Sequence, residues 1–155
     1  MKILLLCIGK TNEKYLEEGI KIYLKRLKHY TSFSLEIIKD VKSVKDRGQL
    51  MLAEFEAYQK HLAKEDYIIL LDENGKEKTS EQFASFIEQK QVQSTRRLVF
   101  VIGGAYGFDP AFKQMAKETL SLSKMTFSHQ MIRLFFVEQV YRAFTIIRNE
   151  KYHNP

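Results

Sequence analysis

The residues of this chain best suited to chemistry begin at Ile102-Gly103-Gly104-Ala105-Tyr106-Gly107. Three glycines in five positions leave backbone N–H groups uncovered and let a ligand lie directly against the main chain. Five apolar residues, 98–102, lead into this loop, and Asp109-Pro110 follows it. An unbroken apolar run bounded by glycine suits a strand buried on both faces of a parallel sheet. Asp before Pro is a helix start, with a carboxylate to cap open N–H groups and a ring that fits the first helical position. The loop is thus expected at the carboxyl end of a strand, where open α/β sheets bind nucleotide-like ligands. Further on, Arg133, Glu138 and Arg142 share one apolar stretch. Two readings stand side by side: an ion-pair cluster that fixes register, or a site completed across subunits.

Other chemistries are excluded or disfavoured. The single Cys7 rules out an internal disulfide and any cysteine-cluster metal site, and its apolar neighbours read as core. Only four histidines occur, without HExxH spacing, so no metal is expected. The N-terminal apolar run is too short for a membrane span and has no small-residue cleavage site. Together with the lone cysteine, this points to a cytoplasmic protein.

The elements that must position these residues follow from periodicity. Residues 2–8 read as a buried strand leaving at Gly9, and 12–29 as a helix with Tyr15, Leu16, Ile20, Tyr23, Leu24 and Leu27 on one side. Residues 33–38 read as a second strand and 50–62 as a helix through Leu52, Phe55, Tyr58 and Leu62. A third strand spans 67–71, and Asp72-Glu73-Asn74-Gly75 turns the chain. Thr79 and Gln82 form a capping box for a helix to about residue 91. Strand 98–102, helix 110–117 and a short strand 119–122 come next. The last helix, about 130–149, is apolar around most of its circumference, with Ser128 as its cap. Strand and helix alternate, which argues for a mainly parallel α/β sheet flanked by helices. At 155 residues and 45% hydrophobic composition, one domain spanning 1–155 is expected. A final helix apolar on nearly all sides needs cover on nearly all sides, so a homodimer through it is expected.

Net charge is +6, with eleven Lys/Arg against six Asp/Glu over residues 1–50. Lys14, Lys21, Lys25 and Lys28 fall on the polar face of the first helix, with Arg26 nearby, either as a solvated face or as phosphate contacts. Residues 39–47 (KDVKSVKDR) carry four cations against two Asp and read as a loop, either a phosphate-gripping arm or a plain connection.

Three segments together carry a family resemblance. They are the loop Ile102-Gly103-Gly104-Ala105-Tyr106-Gly107, the stretch Leu120-Ser121-Leu122-Ser123-Lys124-Met125-Thr126-Phe127-Ser128-His129, and the end Glu138-Gln139-Val140-Tyr141-Arg142-Ala143 with Tyr152-His153. In this order, and over the whole chain, the sequence resembles the RlmH-type 23S rRNA methyltransferases of the SPOUT superfamily. The resemblance implies a single SPOUT domain with a C-terminal trefoil knot, and a homodimer that binds S-adenosylmethionine in the knot. It also implies methylation of N3 of a pseudouridine in helix 69 of 23S rRNA on the assembled ribosome, without metal or membrane. The family's cofactor contacts map onto Leu71, Gly103, Leu122, Ser123, Lys124, Met125, Thr126 and Phe127. His153 and Tyr152 become the candidates for relaying the proton that must leave N3. Arg142 becomes the candidate to stabilise the developing anionic base or to hold a phosphate. Without the resemblance Tyr152-His153 reads as a frayed terminus, and another possibility is that the tail merely closes over the nucleotide. His129, at a loop–helix junction, reads as structural. Two departures from relatives stand out: Ala105-Tyr106 between the glycines, and the ending Asn154-Pro155 without a basic residue after the histidine.

Two rival classes make different demands. A dinucleotide-dependent oxidoreductase needs G-x-G-x-x-G after the first strand, where only Gly9 stands. A basic RNA-binding assembly factor without catalysis would bind ribosomes but show no affinity for S-adenosylmethionine.

Overall fold

The computed structural model describes residues 1–41, 44 and 46–154. Its elements alternate along the chain: β1 (Lys2–Ile8), α1 (Lys14–Leu27), β2 (Ser32–Ile38), α2 (Arg47–Gln59), β3 (Tyr67–Glu77), α3 (Ser80–Val92), β4 (Arg97–Ile102), α4 (Pro110–Met115), β5 (Glu118–Ser121) and α5 (Met131–Ile147). The five strands form one parallel sheet in the order β2-β1-β4-β3-β5. β1 and β4 lie inside it, and their continuous apolar runs are buried on both faces, as the sequence pattern requires.

Each face has its own core. On one, Ile20, Phe83, Phe100, Phe136 and Val140 join α1, α3 and α5 to the sheet. On the other, Leu4, Val99, Tyr58 and Phe112 join α2 and α4 to it. Phe100 and Phe136 meet with ring centroids 4.6 Å apart, which fixes α5 over the sheet centre between α1 and α3. The local helix signals hold. Asp109 accepts from Ala111 N at 2.8 Å with Pro110 at the first turn, and Thr79 and Gln82 make the full capping box. Ser128 Oγ accepts from Met131 N at 3.1 Å.

Two sequence readings are corrected. Residues 72–75 do not end the third strand. Asp72 Oδ1 accepts from Asn74 N at 2.9 Å, and this local turn becomes a bulge after which Lys76 and Glu77 pair with Leu120 and Ser121. Gly75 is required there, because a Cβ would lie 2.7 Å from the Thr119 and Leu120 backbone. Leu52 and Tyr15, read as core, are exposed, and on α2 Glu54 is turned inward instead.

Candidate functional site

The bulge of β3 and the carboxyl ends of β4 and β5 surround a cleft of about 740 Å³, within the range of small-molecule and cofactor sites. Three chain segments build it. The bulge of β3 and the residue before it supply Leu71, Asp72, Glu73 and Asn74. The glycine loop supplies 103–107, and the segment after β5 supplies Leu122, Ser123, Met125, Thr126 and Phe127. Seven of the eight residues expected to hold a cofactor therefore meet in one cleft, although they lie on three separate segments. The eighth, Lys124, turns outward, with Nζ 3.8 Å from Glu77 Oε2.

Local chemistry holds each wall. Gly103 is closely packed: a Cβ would lie 3.0 Å from Gly107 O and 3.2 Å from Phe108 Cζ, so either neighbour would have to shift by a few tenths of an ångström. Gly107 has φ 82° and closes the loop by donating to Gly104 O at 3.2 Å, a backbone state that favours glycine. On the third segment, Ser121 Oγ donates to Ser123 O at 2.8 Å, and Ser123 Oγ accepts from Met125 N at 2.9 Å. Thr126 donates to Glu73, joining this segment to the β3 bulge. Burial pushes the Asp72 carboxyl up, but bonds from Asn74 and the Lys113 ammonium at 3.2 Å outweigh it and hold it below its usual range. The cleft thus combines apolar walls, uncovered backbone and two carboxylates.

His129 lines the same cleft. Burial, then the positive charge of Arg133, lowers its pKa, which keeps the imidazole neutral near pH 7. Sequence reasoning gave it a structural role; only its position near the third segment hinted at more. Tyr106 stands half exposed at the mouth with the Arg47 guanidinium 5.3 Å over its ring. Of the basic stretch 39–47, Lys42, Ser43 and Lys45 lie outside the described residues, as does Pro155 of the tail.

The other three candidates gather elsewhere. Arg142 Nη2 donates to Glu138 Oε1 at 2.7 Å, and the Tyr152 hydroxyl donates to the same oxygen at 2.9 Å. Tyr152 also meets Tyr23 hydroxyl to hydroxyl at 3.2 Å, and the Arg142 guanidinium lies 4.9 Å over its ring. His153 bonds Glu81 Oε1 at 2.7 Å through Nε2, and its Nδ1 lies 3.4 Å from Arg142. The tail is therefore tied down by side chains on α1, α3 and α5. Burial, then Tyr23 and Glu138, raises the Tyr152 pKa well above its usual value, so this phenol stays protonated. None of the three lines the cleft among the described residues. One chain holds two separate polar clusters.

The family model described as "Predicted SPOUT methyltransferase" matches residues 1–153. The chain is 51% identical to the ribosomal RNA large subunit methyltransferase H of Christiangramia forsetii over 99% of both chains. It is 53% identical to the protein of the same name from Parabacteroides distasonis, again over 99% of both. Among solved structures, a probable methylase family protein from Haemophilus influenzae shares the fold, with a TM-score of 0.50 and 13% identity over 97% of this chain and 67% of that one. With a profile match and half-identical relatives over nearly its full length, the chain belongs to the SPOUT methyltransferase family.

Proposed function

We propose that this chain is an S-adenosylmethionine-dependent methyltransferase acting on N3 of a pseudouridine in helix 69 of 23S rRNA, on the assembled ribosome. The observation that carries the reading is the cleft itself. Leu71, Gly103, Leu122, Met125 and Phe127 converge there from the β3 bulge and the ends of β4 and β5, in a chain half-identical to proteins named ribosomal RNA large subunit methyltransferase H.

The residues fit the cofactor. Gly103 and Gly104 bring bare backbone to the cleft wall, the apolar side chains can enclose an adenine, and Asp72 and Glu73 offer carboxylates to hydroxyl or ammonium groups. Bound S-adenosylmethionine supplies an electrophilic methyl group on a sulfonium. The chain then has to hold the imide nitrogen in line with that methyl and accept the N3 proton. His153 is assigned the proton relay and Arg142 the charge of the developing anionic base. Tyr152, held protonated by burial and then by Tyr23 and Glu138, acts as a donor that orients the tail.

Because the tail cluster and the cleft are separate within one chain, the reading includes a homodimer in which the tail of one subunit serves the cleft of the other. Phe127 and Phe135, both partly exposed and 4.9 Å apart, extend the apolar surface from the cleft rim onto α5, where a second copy would sit. It also includes a single SPOUT domain over 1–155 with a C-terminal trefoil knot, and work in the cytoplasm. No helix among the described residues is long and apolar enough to cross a membrane. Among those residues no three His, Cys, Asp or Glu gather as a metal site.

The deciding experiment supplies purified protein and labelled S-adenosylmethionine to ribosomes from a strain lacking this methyl group. Label mapped by mass spectrometry to helix 69 is the expected result. Unlabelled helix 69 would overturn the assignment.

A further inference from the structure

His129 joins the cleft to the start of α5 and is held there from two directions. Its carbonyl accepts from Arg133 Nε at 3.0 Å. The next side chain, Gln130, reaches the loop between β1 and α1, where its Nε2 donates to Lys10 O at 2.8 Å and its Oε1 accepts from Asn12 N at 3.0 Å. A backbone carbonyl only accepts and a backbone N–H only donates, so these two bonds fix which end of the amide carries the nitrogen. That nitrogen lies 3.4 Å from His129 Nε2. An amide NH2 offers two hydrogens and accepts none, so with one on Lys10 O the other meets the ring, and Nε2 is its acceptor. A neutral imidazole carries its hydrogen on the remaining nitrogen, which here is Nδ1.

The half-buried ring stays neutral because burial and Arg133 lower its pKa, with the negative charge of Asp40 opposing them. No hydrogen bond to its Nδ1 occurs among the described residues. Other nitrogen donors around the cleft are engaged: Asp72 takes Asn74 at 3.0 Å and Lys113 at 3.2 Å, and Arg47 lies over Tyr106.

N3 of a uracil-type base lies between two carbonyl groups. As N3 gives its proton to the tail relay, the electron pair left behind forms the bond to the methyl carbon, and the pair of the broken carbon–sulfur bond stays on sulfur. Negative charge passing through N3 is shared by the flanking carbonyl oxygens. A neutral N–H donor meets that charge without competing for the proton.

We propose that His129 is a catalytic residue of this reaction, held by Gln130 as the Nδ1–H tautomer so that it donates a hydrogen bond to a carbonyl oxygen beside N3. This rests on the reading that the cleft serves methylation of a pseudouridine at N3. Gln130 is a positioning residue, acting only through the ring.

The test reads the His129 tautomer by nitrogen NMR of the isotope-labelled imidazole, in cofactor-bound protein at about pH 8. It adds kcat on ribosomes with labelled S-adenosylmethionine, and cofactor Kd by calorimetry. Hydrogen on Nδ1 is expected in the wild type. Gln130→Glu puts an acceptor opposite Nε2, and should move the hydrogen there and lower kcat about tenfold. His129→Asn keeps an amide N–H near the place of Nδ1–H and should retain about a tenth of wild-type kcat. His129→Gln carries its amide toward the Nε2 position and His129→Ala has no donor, so both should fall about a hundredfold or more. Cofactor Kd should stay within about threefold in all four. Hydrogen on Nε2 in the wild type would overturn the proposal, whether or not any variant folds. Equal kcat in the Asn and Gln variants, or an Ala variant within about threefold of wild type, would also overturn it. Cofactor affinity lost in step with kcat would place the acceptor on the cofactor and overturn the assignment to the base. Wild-type protein that leaves helix 69 unlabelled would overturn the methylation reading, and the catalytic role with it. Labelled helix 69 with any of the other failures would overturn the role of His129 alone.

Discussion

Arg133 Nη1 donates to the carbonyl of Gly9 at 2.8 Å, across 124 positions of chain. The same guanidinium donates to Ile8 O at 2.6 Å, to Thr11 Oγ1 at 3.1 Å and to His129 O at 3.0 Å, with no solvent exposure. It forms no ion pair among the described residues, so its charge is stabilised by carbonyl dipoles at the carboxyl end of β1. One side chain thereby fastens the start of α5, and the cleft segment before it, to the first strand.

Arg133→Met should consequently be among the most destabilising single changes in the chain. Methionine fills similar space but leaves several buried carbonyls unpaired, each costing about 1–3 kcal/mol. A loss of about 2–5 kcal/mol is expected from denaturant unfolding, provided the transition is two-state. Arg133→Lys should recover only part, since an ammonium cannot span four acceptors in the fork geometry of a guanidinium. A Met variant within about 0.5 kcal/mol of wild type, the range of ordinary surface changes, would contradict this account.

The tail cluster leads to a kinetic prediction. Tyr152→Phe removes the hydroxyl that Glu138 and Tyr23 hold, while leaving the ring that packs on Tyr141 with centroids 4.8 Å apart. If the tail serves a partner's cleft, misplacement of His153 by about 1 Å is enough to lower kcat up to a hundredfold with cofactor Kd nearly unchanged. His153→Ala should show the same split. Parallel loss of kcat and cofactor affinity in both variants would make the tail a structural element of its own subunit's cleft.

Much of this arrangement is visible in the sequence wherever a local signal has a single meaning. The apolar runs of β1 and β4 are long and unbroken because both faces of an interior parallel strand are buried. Thr79 with Gln82, and Asp109-Pro110, are caps whose partners lie within three residues. Asp72-Glu73-Asn74-Gly75 illustrates the opposite case. Its local chemistry is a turn, and the turn exists, but pairing with β5 some 45 residues on carries the strand past it, which no local pattern encodes. Glu54 was hidden for a similar reason. Helical periodicity favours apolar residues such as Leu52 on the inner face, whereas the fold buries the Glu54 carboxylate there, in the space that a Cβ on Gly104 would enter. His129 and His153 are alike in composition terms; only the fold puts one in the cleft and ties the other to Glu81.

That tie makes an acid-side prediction. The Glu81 pKa is lowered from 4.5 to about 2, first by its own backbone N–H at the start of α3, then by His153 and Thr79. A carboxyl lowered on folding contributes stability fully above its unfolded value, and the contribution disappears as pH falls through the folded one. The tail contact should thus be intact at pH 5 and weaken between 4.5 and about 2. Carbon-detected NMR of the Glu81 carboxyl should show its midpoint near the lower end of that window. A midpoint near 4.5 would mean that His153 is not held there in solution.

Cys7 offers a probe of the sheet itself. It lies in β1 between β2 and β4, with no exposure, and burial raises its thiol to about 12, the positive charge of Arg133 opposing this only in part. A thiolate is the reactive form, so at pH 8 a native Cys7 is both uncharged and inaccessible. Thiol reagents should modify it only when β1 separates from its neighbours, at a rate that reports opening of the sheet rather than intrinsic reactivity. Arg133→Met should therefore accelerate labelling, because it removes the bonds that fasten the start of α5 to the end of β1. Labelling of the wild type as fast as an unfolded peptide would show that the β1 interior is open, contrary to the packing described.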